Sequence, residues 1–180
     1  NRKEIVKFTT GVSINNLSLN ENDIGDFKTF LKLSPPLRTE DDRNALVQGL
    51  VDETIDVIVS DHKPEDEENK RLTFAQAETG ASGIETLLPL SLELYHNGSV
   101  KLETIIKALT SSPAKILKIN KGNLSIGNDA DFCIVDINKP WVVRKEKLIS
   151  KSKNTPIEDK KLQGKVMNTF VNGEELFKAG

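Results

Sequence analysis

The chain has 180 residues, enough for one good core or one and a half domains. Its formal net charge of −2 gives no electrostatic reason to expect nucleic acid or an anionic membrane as a partner. Hydrophobic residues make up 37% of the chain and charged residues 29%, which is typical of a soluble globular protein and excludes a disordered one.

The single cysteine, Cys133, excludes an intrachain disulfide and fits a reducing compartment, so we expect a cytoplasmic location. Cys133 lies in a strand pattern and is predicted to be a small core residue. No apolar stretch reaches membrane-spanning length, and no basic-then-apolar leader opens the chain. Asn1 falls within a polar-to-strand transition, so we expect the chain to be a piece of a longer protein.

The first predicted elements are two short strands, over residues 4–11 and 29–33, because β-branched, aromatic and apolar residues cluster there. Between them, Asn15 and Asn16 suit either a turn or polar contacts at the mouth of a strand. After the second strand, the prolines in Ser34-Pro-Pro-Leu-Arg38 predict a rigid extended exit.

Thr39 is predicted to cap a helix whose first turn carries three acids, at positions 40, 41 and 42. A buried β-branched strand over residues 54–60 follows, so the alternation predicts βα units with a parallel sheet. Asp61 and His62 come directly after this strand, where α/β enzymes place their chemistry. The alternative is an ordinary polar turn, since aspartate is a common turn former.

A charged loop over residues 65–71 is interpreted as solvated surface. Gly80 and Gly83 then precede a predicted helix over residues 84–97, where glycines let the backbone approach a ligand. Pro89 predicts a kink or a late start in this helix. His96, beside Asn97-Gly98, is interpreted as a C-terminal capping residue, with a ligand role as the alternative.

Further helices are predicted over residues 102–109 and from Ser112-Pro113 to about residue 119, with Ser112 as cap. The pattern then changes to short strands, at residues 130–136, 140–143, 165–171 and 174–177, and a polar excursion at residues 150–161. Asn172-Gly173 is a strong hairpin-turn signal. We therefore expect an α/β domain over residues 1–119 and a small β domain over residues 120–180.

Several strings together resemble the carboxyl-terminal part of the dihydroorotases, within the cyclic amidohydrolases. They occur in the family's order and run through most of the chain: Ser34-Pro-Pro-Leu-Arg38, Thr54-Ile-Asp-Val-Ile-Val-Ser-Asp-His62, Gly83-Ile-Glu-Thr-Leu-Leu-Pro89, Ser112-Pro-Ala-Lys-Ile-Leu117, Gly127-Asn-Asp-Ala-Asp131 and Ser150-Lys-Ser-Lys-Asn-Thr-Pro156.

The resemblance implies an α/β fold, namely the last βα units of a (β/α)₈ TIM-type barrel plus part of a small β-sandwich domain. It implies hydrolysis of dihydroorotate, or its formation from N-carbamoyl-L-aspartate, in pyrimidine synthesis. One or two zinc ions would activate a water, and Asp61 would move its proton. Asp61 is also a candidate metal ligand, and His62 would support it. The implied substrate contacts are Ser34, Glu65, Thr79 and Gly80.

The chain departs from the family's pattern at three places. Asn15 and Asn16 stand where the family has paired histidines, one of which is a metal ligand. Serine stands at 34 where the family has asparagine. Lys63 and Glu65 replace an alanine and a histidine, and Glu65 would repel a substrate carboxylate.

Three hypotheses therefore stay open: an active dihydroorotase with an altered metal site, an inactive subunit retained for its fold, and a cyclic amidohydrolase with another substrate. The expected partners are a small-molecule substrate and the N-terminal part of the same protein. Aspartate carbamoyltransferase or a second copy of the chain is a further candidate partner.

Overall fold

The computed structural model describes residues 8–180, so the first half of the strand predicted over residues 4–11 lies outside the described residues. Strand β1 spans Gly11–Ser13 and pairs in parallel with β2, Val57–Val59. The predicted parallel pairing is confirmed, with Ser13 opposite Val59. Both strands therefore end at the same edge of the sheet.

Helix α1, Ile14–Ser18, follows β1 without a loop, because the Ser13 hydroxyl accepts a hydrogen bond from the Asn15 amide at 3.3 Å. Asn15 and Asn16 therefore lie in a helical turn. The strand predicted over residues 29–33 is wrong. Thr29–Leu31 is a 3₁₀ helix that leads into extended backbone, and Leu31 and Leu33 are both buried. Their alternate burial imitates the period of a strand, but no strand of the described residues pairs with this segment.

Helix α2 spans Glu40–Val51 and confirms the predicted cap. The Thr39 hydroxyl accepts from the Asp42 amide, and the Asp42 carboxylate accepts from the Thr39 amide. Val47 and Leu50 face the core. The cap and the apolar positions fix where the helix begins and which face it buries, so α2 returns the chain to β2.

Four more helices follow β2: α3, Glu67–Lys70; α4, Leu87–His96; α5, Leu102–Leu109; and α6, Ser111–Leu117. The late start at Pro89 is confirmed, because this residue lies in the first turn of α4, where its missing N–H costs no helical hydrogen bond. Ser112 is the second residue of α6, so its predicted role as cap is wrong and Thr110 precedes the helix instead.

His96 does not cap α4 as predicted. Its Nε2 lies 2.9 Å from the carbonyl oxygen of Ile137 in the following sheet, whereas Asn97 closes the helix through its backbone N–H. The imidazole therefore makes a contact between two parts of the chain.

The carboxyl-terminal third is an antiparallel sheet with the order β3-β4-β5, comprising Phe132–Val142, Lys161–Val171 and Glu174–Lys178. The two strands predicted over residues 130–136 and 140–143 form one strand with a register shift between Asp136 and Pro140. The hairpin turn is confirmed, since it joins β4 to β5. Cys133 is exposed, so its predicted core position is wrong. Its neighbours in β3 are exposed as well.

The sheet and the helices share one buried cluster. Ile14 and Leu90 contribute to it from the helical part, Leu162 contributes from β4, and Val143 contributes from the position directly after β3. The division at residue 120 stays a prediction. Within residues 8–180 we find no helix with the length and apolar character that a membrane crossing requires.

Candidate active site

Asp61 lies in the turn that follows β2, at the shared edge of the parallel strands. Its φ of 48° is in the left-handed region, which aspartate tolerates better than most residues. One residue later His62 forms a parallel bridge with Ala81, and the Lys63 amide donates to the Ala81 carbonyl at 2.8 Å. The backbone that directly follows Asp61 is thus held, and Asp61 itself is half-buried.

The imidazole of His62 already makes a hydrogen bond within the chain. The Gly83 amide donates to His62 Nδ1 at 3.1 Å, so the proton of the neutral ring is on Nε2. A Cβ at Gly83 would lie 2.4 Å from the Ser60 carbonyl oxygen, so only glycine permits this close approach. His62 therefore anchors the loop behind Asp61.

Lys63 joins two of the predicted substrate contacts. Its Nζ lies 3.3 Å from Glu65 Oε1 and donates to Thr79 Oγ1 at 3.2 Å. The Glu65 side chain is only 15% exposed, so the lysine compensates a carboxylate that would otherwise be buried without a partner.

Gly80 lies next to this pair, and its backbone ties it to another segment. Its φ is 139°, and its amide donates to the Lys32 carbonyl at 3.0 Å. Ser34 is two residues beyond Lys32 and is exposed. The structure thus brings Glu65, Thr79 and Gly80 together and ties the segment before Ser34 to them.

Asn154 is one of the residues that the sequence prediction missed. It is 2% exposed and comes from the predicted polar excursion. Its Nδ2 donates to the carbonyls of Lys63 (3.3 Å) and Gly80 (3.2 Å). Its Oδ1 accepts from the Ser82 hydroxyl at 2.8 Å and from the Glu65 amide at 3.4 Å. One amide therefore joins both loops beside Asp61, and its only sequence signal was membership of a string that carries the family resemblance.

Glu85 makes a second connection to the same distant segment. Its carboxylate accepts from the Ile149 amide at 2.9 and 3.0 Å and from the Ser150 amide at 3.1 Å. With Asn154, these bonds fix residues 148–154 against the loops that follow β2.

Lys70 corrects the interpretation of residues 65–71 as solvated surface. Its side chain is 2% exposed, and burial lowers its pKa from 10.5 to about 8. Its ammonium donates to three backbone carbonyls, those of Thr29, Lys32 and Glu78. The sequence does not distinguish this buried lysine, because it stands among charged residues that are typical of a solvated surface.

The corner after β1 has a different character. Asn15 is 1% exposed, and Asn16 Nδ2 donates to the Pro36 carbonyl at 3.1 Å. Asn15 Nδ2, Asn16 Oδ1 and Ser18 Oγ are buried with no hydrogen-bond partner among residues 8–180. Three unsatisfied polar atoms within one five-residue helix are unusual in a folded core.

The donor set at this edge does not fit a zinc ion by itself. Zinc prefers histidine nitrogen, cysteine sulfur and carboxylate oxygen. Here Asp61 offers a carboxylate, but Asn15 and Asn16 offer amides and His62 Nδ1 already accepts from Gly83. In the part of the chain that the structure describes, no three His, Cys, Asp or Glu side chains cluster as metal ligands.

A cavity of about 780 Å³ lies elsewhere, between α4 and the sheet. Leu88, Trp141, Ile149 and Phe177 give it a mainly apolar wall. Neither Asp61 nor any predicted substrate contact lines it, so the cavity and the candidate site are separate features.

Comparison with known proteins shows which family the sequence matches. The sequence profile of the Amidohydrolase family matches residues 10–176. The dihydroorotase of Ehrlichia canis (strain Jake) is 42% identical over 174 residues, which are 97% of this chain and 39% of the relative. The dihydroorotase of Acetivibrio thermocellus is 40% identical over 96% of this chain and 41% of the relative. The chain therefore spans about two fifths of the length of the curated relatives it matches.

Solved structures of related proteins superimpose on this chain. L-hydantoinase (dihydropyrimidinase) from Arthrobacter aurescens superimposes with a TM-score of 0.91 at 28% identity, over 96% of this chain and 40% of that one. Dihydropyrimidinase from Brevibacillus agri NCHU1002 has a TM-score of 0.86 at 22% identity, over 94% and 39%, which shows the shared fold. The predicted α/β fold class, that of a partial TIM-type barrel, is confirmed.

Proposed function

We propose, on the premise that this chain belongs to the amidohydrolase family, that the whole protein hydrolyses a cyclic amide and that Asp61 moves the proton. One observation carries the proposal: a half-buried carboxylate lies at the shared end of two parallel strands, with the loops behind it held in place. Active sites of this fold class lie at that end of the strands.

The reaction requires one proton to change place. Water adds to the ring carbonyl carbon, the C–N bond breaks, and the leaving nitrogen takes up a proton. We assign to Asp61 both halves of the transfer: its carboxylate accepts the proton of the attacking water and then donates it to the nitrogen. General acid–base catalysis of this kind contributes about 10²- to 10⁴-fold in rate.

We propose dihydroorotate as the substrate, with N-carbamoyl-L-aspartate as the open form, in pyrimidine synthesis. The name of the curated relatives at 40–42% identity supports this choice. Ser34, Glu65, Thr79 and Gly80 are the proposed substrate contacts. Glu65 by itself would repel an anionic substrate. The ammonium of Lys63 pairs with the Glu65 carboxylate and reduces this repulsion.

The family is generally metal-dependent, and we propose zinc, one or two ions, for the whole protein. Asp61 is the described residue that could act as a charged ligand. The other ligands would have to come from the three fifths of the relatives' length that this chain does not span.

A catalytically inactive, dihydroorotase-like subunit is the second candidate. The buried amide of Asn15 and the half-buried amide of Asn16 favour it, because both are poor zinc ligands and stand where the family pattern has imidazoles, at the edge where Asp61 lies. Such a subunit would be retained for its fold, as a partner of aspartate carbamoyltransferase or of another copy of itself. For either candidate we propose a cytoplasmic location.

A cyclic amidohydrolase with a different ring is the third candidate. L-hydantoinase from Arthrobacter aurescens, at 28% identity and a TM-score of 0.91, supports testing hydantoins beside dihydroorotate.

The deciding experiment is a hydrolysis and cyclisation assay of the full-length protein, with metal analysis, on wild type, Asp61→Asn and the exposed control Asp66→Asn. We expect wild-type turnover of dihydroorotate, a loss of at least about 100-fold in kcat for Asp61→Asn, and wild-type values for Asp66→Asn. Turnover that survives Asp61→Asn would remove Asp61 from the chemistry. No turnover of any ring by the metal-loaded wild type would favour the inactive subunit.

A further inference from the structure

Lys70 is a buried cation that the proposed chemistry does not use. It ends the short helix α3 and is 2% exposed, although exposed charged residues precede it. Its Nζ donates to the carbonyls of Thr29 at 3.2 Å, Lys32 at 3.3 Å and Glu78 at 2.7 Å. An ammonium group has three N–H donors, so all three are used.

The three carbonyls belong to two segments that are far apart in sequence. Thr29 and Lys32 lead into Ser34, whereas Glu78 immediately precedes Thr79 and Gly80. These are the two segments that carry three of the four proposed substrate contacts. Lys70 lies between them and bonds to both.

Lys32 makes the reciprocal connection. Its Nζ donates to the carbonyls of Ala75 at 2.9 Å and Ala77 at 2.7 Å. The Gly80 amide in turn donates to the Lys32 carbonyl at 3.0 Å. Lys32 thus binds the backbone just before Glu78, and Lys70, from α3, binds both segments. Among the described residues, the ammonium groups of both lysines donate to backbone carbonyls.

The three hydrogen bonds of Lys70 fix the distance between the two segments. Burial of the cation costs free energy, which offsets part of what these bonds contribute to stability. The ammonium group makes three directed hydrogen bonds to two loops at once, and these bonds set the separation of the two loops.

We propose that Lys70 is a positioning residue for the proposed cyclic-amide site: it fixes the separation of residues 29–34 from residues 78–80, so that both loops contact one substrate. This inference rests on the proposed function for its substrate, whereas the loop separation does not depend on it. Lys70 itself does not touch the reacting atoms.

The test uses the full-length protein with three substitutions: Lys70→Met removes the charge and keeps the volume, Lys70→Arg keeps the charge, and Lys115→Met removes an exposed lysine as a control. The first measurement is backbone hydrogen exchange of the Gly80 amide, which needs no activity. The second is KM and kcat for dihydroorotate hydrolysis.

For Lys70→Met we expect at least tenfold faster exchange at Gly80 and at least a tenfold higher KM, with kcat within threefold of wild type because Asp61 is untouched. Lys70→Arg should recover part of both effects, and Lys115→Met should match wild type. A merely structural lysine would lower the yield of folded protein and leave KM unchanged.

Unchanged exchange at Gly80, or faster exchange with an unchanged KM, would overturn the proposal. If Lys70→Met does not fold, Lys32→Met tests the same spacing and should also speed exchange at Gly80. If the wild type turns over no dihydroorotate, the proposed function fails on its own. The exchange measurement then decides the loop separation: acceleration supports it, and no acceleration overturns it.

Discussion

The two sides of the strand edge differ in how their buried polar groups are satisfied. After β2, the side-chain amide of Asn154 bonds to two carbonyls, one backbone amide and two hydroxyls, and the ammonium of Lys70 uses all three of its donors. After β1, three buried polar atoms of the Asn15–Ser18 turn have no partner in the described residues. Within residues 8–180, the polar groups of one side are satisfied and those of the other are not.

The difference decides how much the buried polar groups on each side contribute to stability. A buried polar group without a partner costs about 1–3 kcal/mol, whereas a satisfied one fixes a conformation. We therefore expect the buried polar groups after β2 to contribute to the free energy of unfolding and those in the corner after β1 to contribute little. Three substitutions test this contrast.

The largest effect is expected at Asn154. Asn154→Leu in the full-length protein removes the partner of two carbonyls and one amide, so we expect a loss of about 4 kcal/mol in the free energy of unfolding. Denaturant unfolding measures it, with the exposed Asn138→Leu as control. A loss below about 1 kcal/mol would mean that the loops after β2 do not depend on this amide.

A smaller effect follows from the pKa of Lys70, which burial lowers to about 8. Lys63 and Lys32 also lower it, while Glu65 and Glu78 raise it. Between pH 8 and 10.5 the unfolded chain holds a proton that the folded one has lost, so stability rises with pH. Over this pH interval the free energy of unfolding of the wild type should rise by at most about 3 kcal/mol relative to that of Lys70→Met.

Denaturant unfolding of both proteins at several pH values between 7 and 10.5 measures this difference. Below pH 7 it should be constant, because Lys70 is then protonated in both states. A wild-type-minus-variant difference that stays constant up to pH 10.5 would contradict the lowered pKa.

The smallest effect is expected at Asn15. Its Nδ2 has no partner in residues 8–180, so Asn15→Leu should change the free energy of unfolding by less than about 1 kcal/mol in either direction. The same assay as for Asn154→Leu makes the two substitutions comparable. A loss as large as that at Asn154 would show that the rest of the protein satisfies this amide.

The sequence predicted elements whose cause is local. The Thr39 capping box, the parallel strand ending before Asp61 and the Asn172-Gly173 hairpin each depend on a few neighbouring residues, and the structure has all three. The segment at residues 29–33 was misassigned because alternate burial of two leucines is produced as well by a 3₁₀ turn followed by extended backbone.

The sequence predicted only the part of the site that directly follows a strand. Asp61 follows β2, so its position could be inferred from the strand. Asn154 and Lys70 could not be found in this way, because their roles come from contacts 74 and 41 residues away in sequence. Polar strings contain no periodicity that distinguishes such residues from solvated ones, and exposure to solvent is the ordinary expectation for them.

The bonds of Asn154 also have a consequence for the order of folding. This residue is separated by 91 positions from Lys63, whose carbonyl it binds. During synthesis the loops beside Asp61 are made long before the side chain that joins them, so they must wait for the segment around residue 154 to leave the ribosome. The strand that carries Asp61 is made early, but the surroundings of its carboxylate are completed late, and a chain cut short before residue 148 would never complete them.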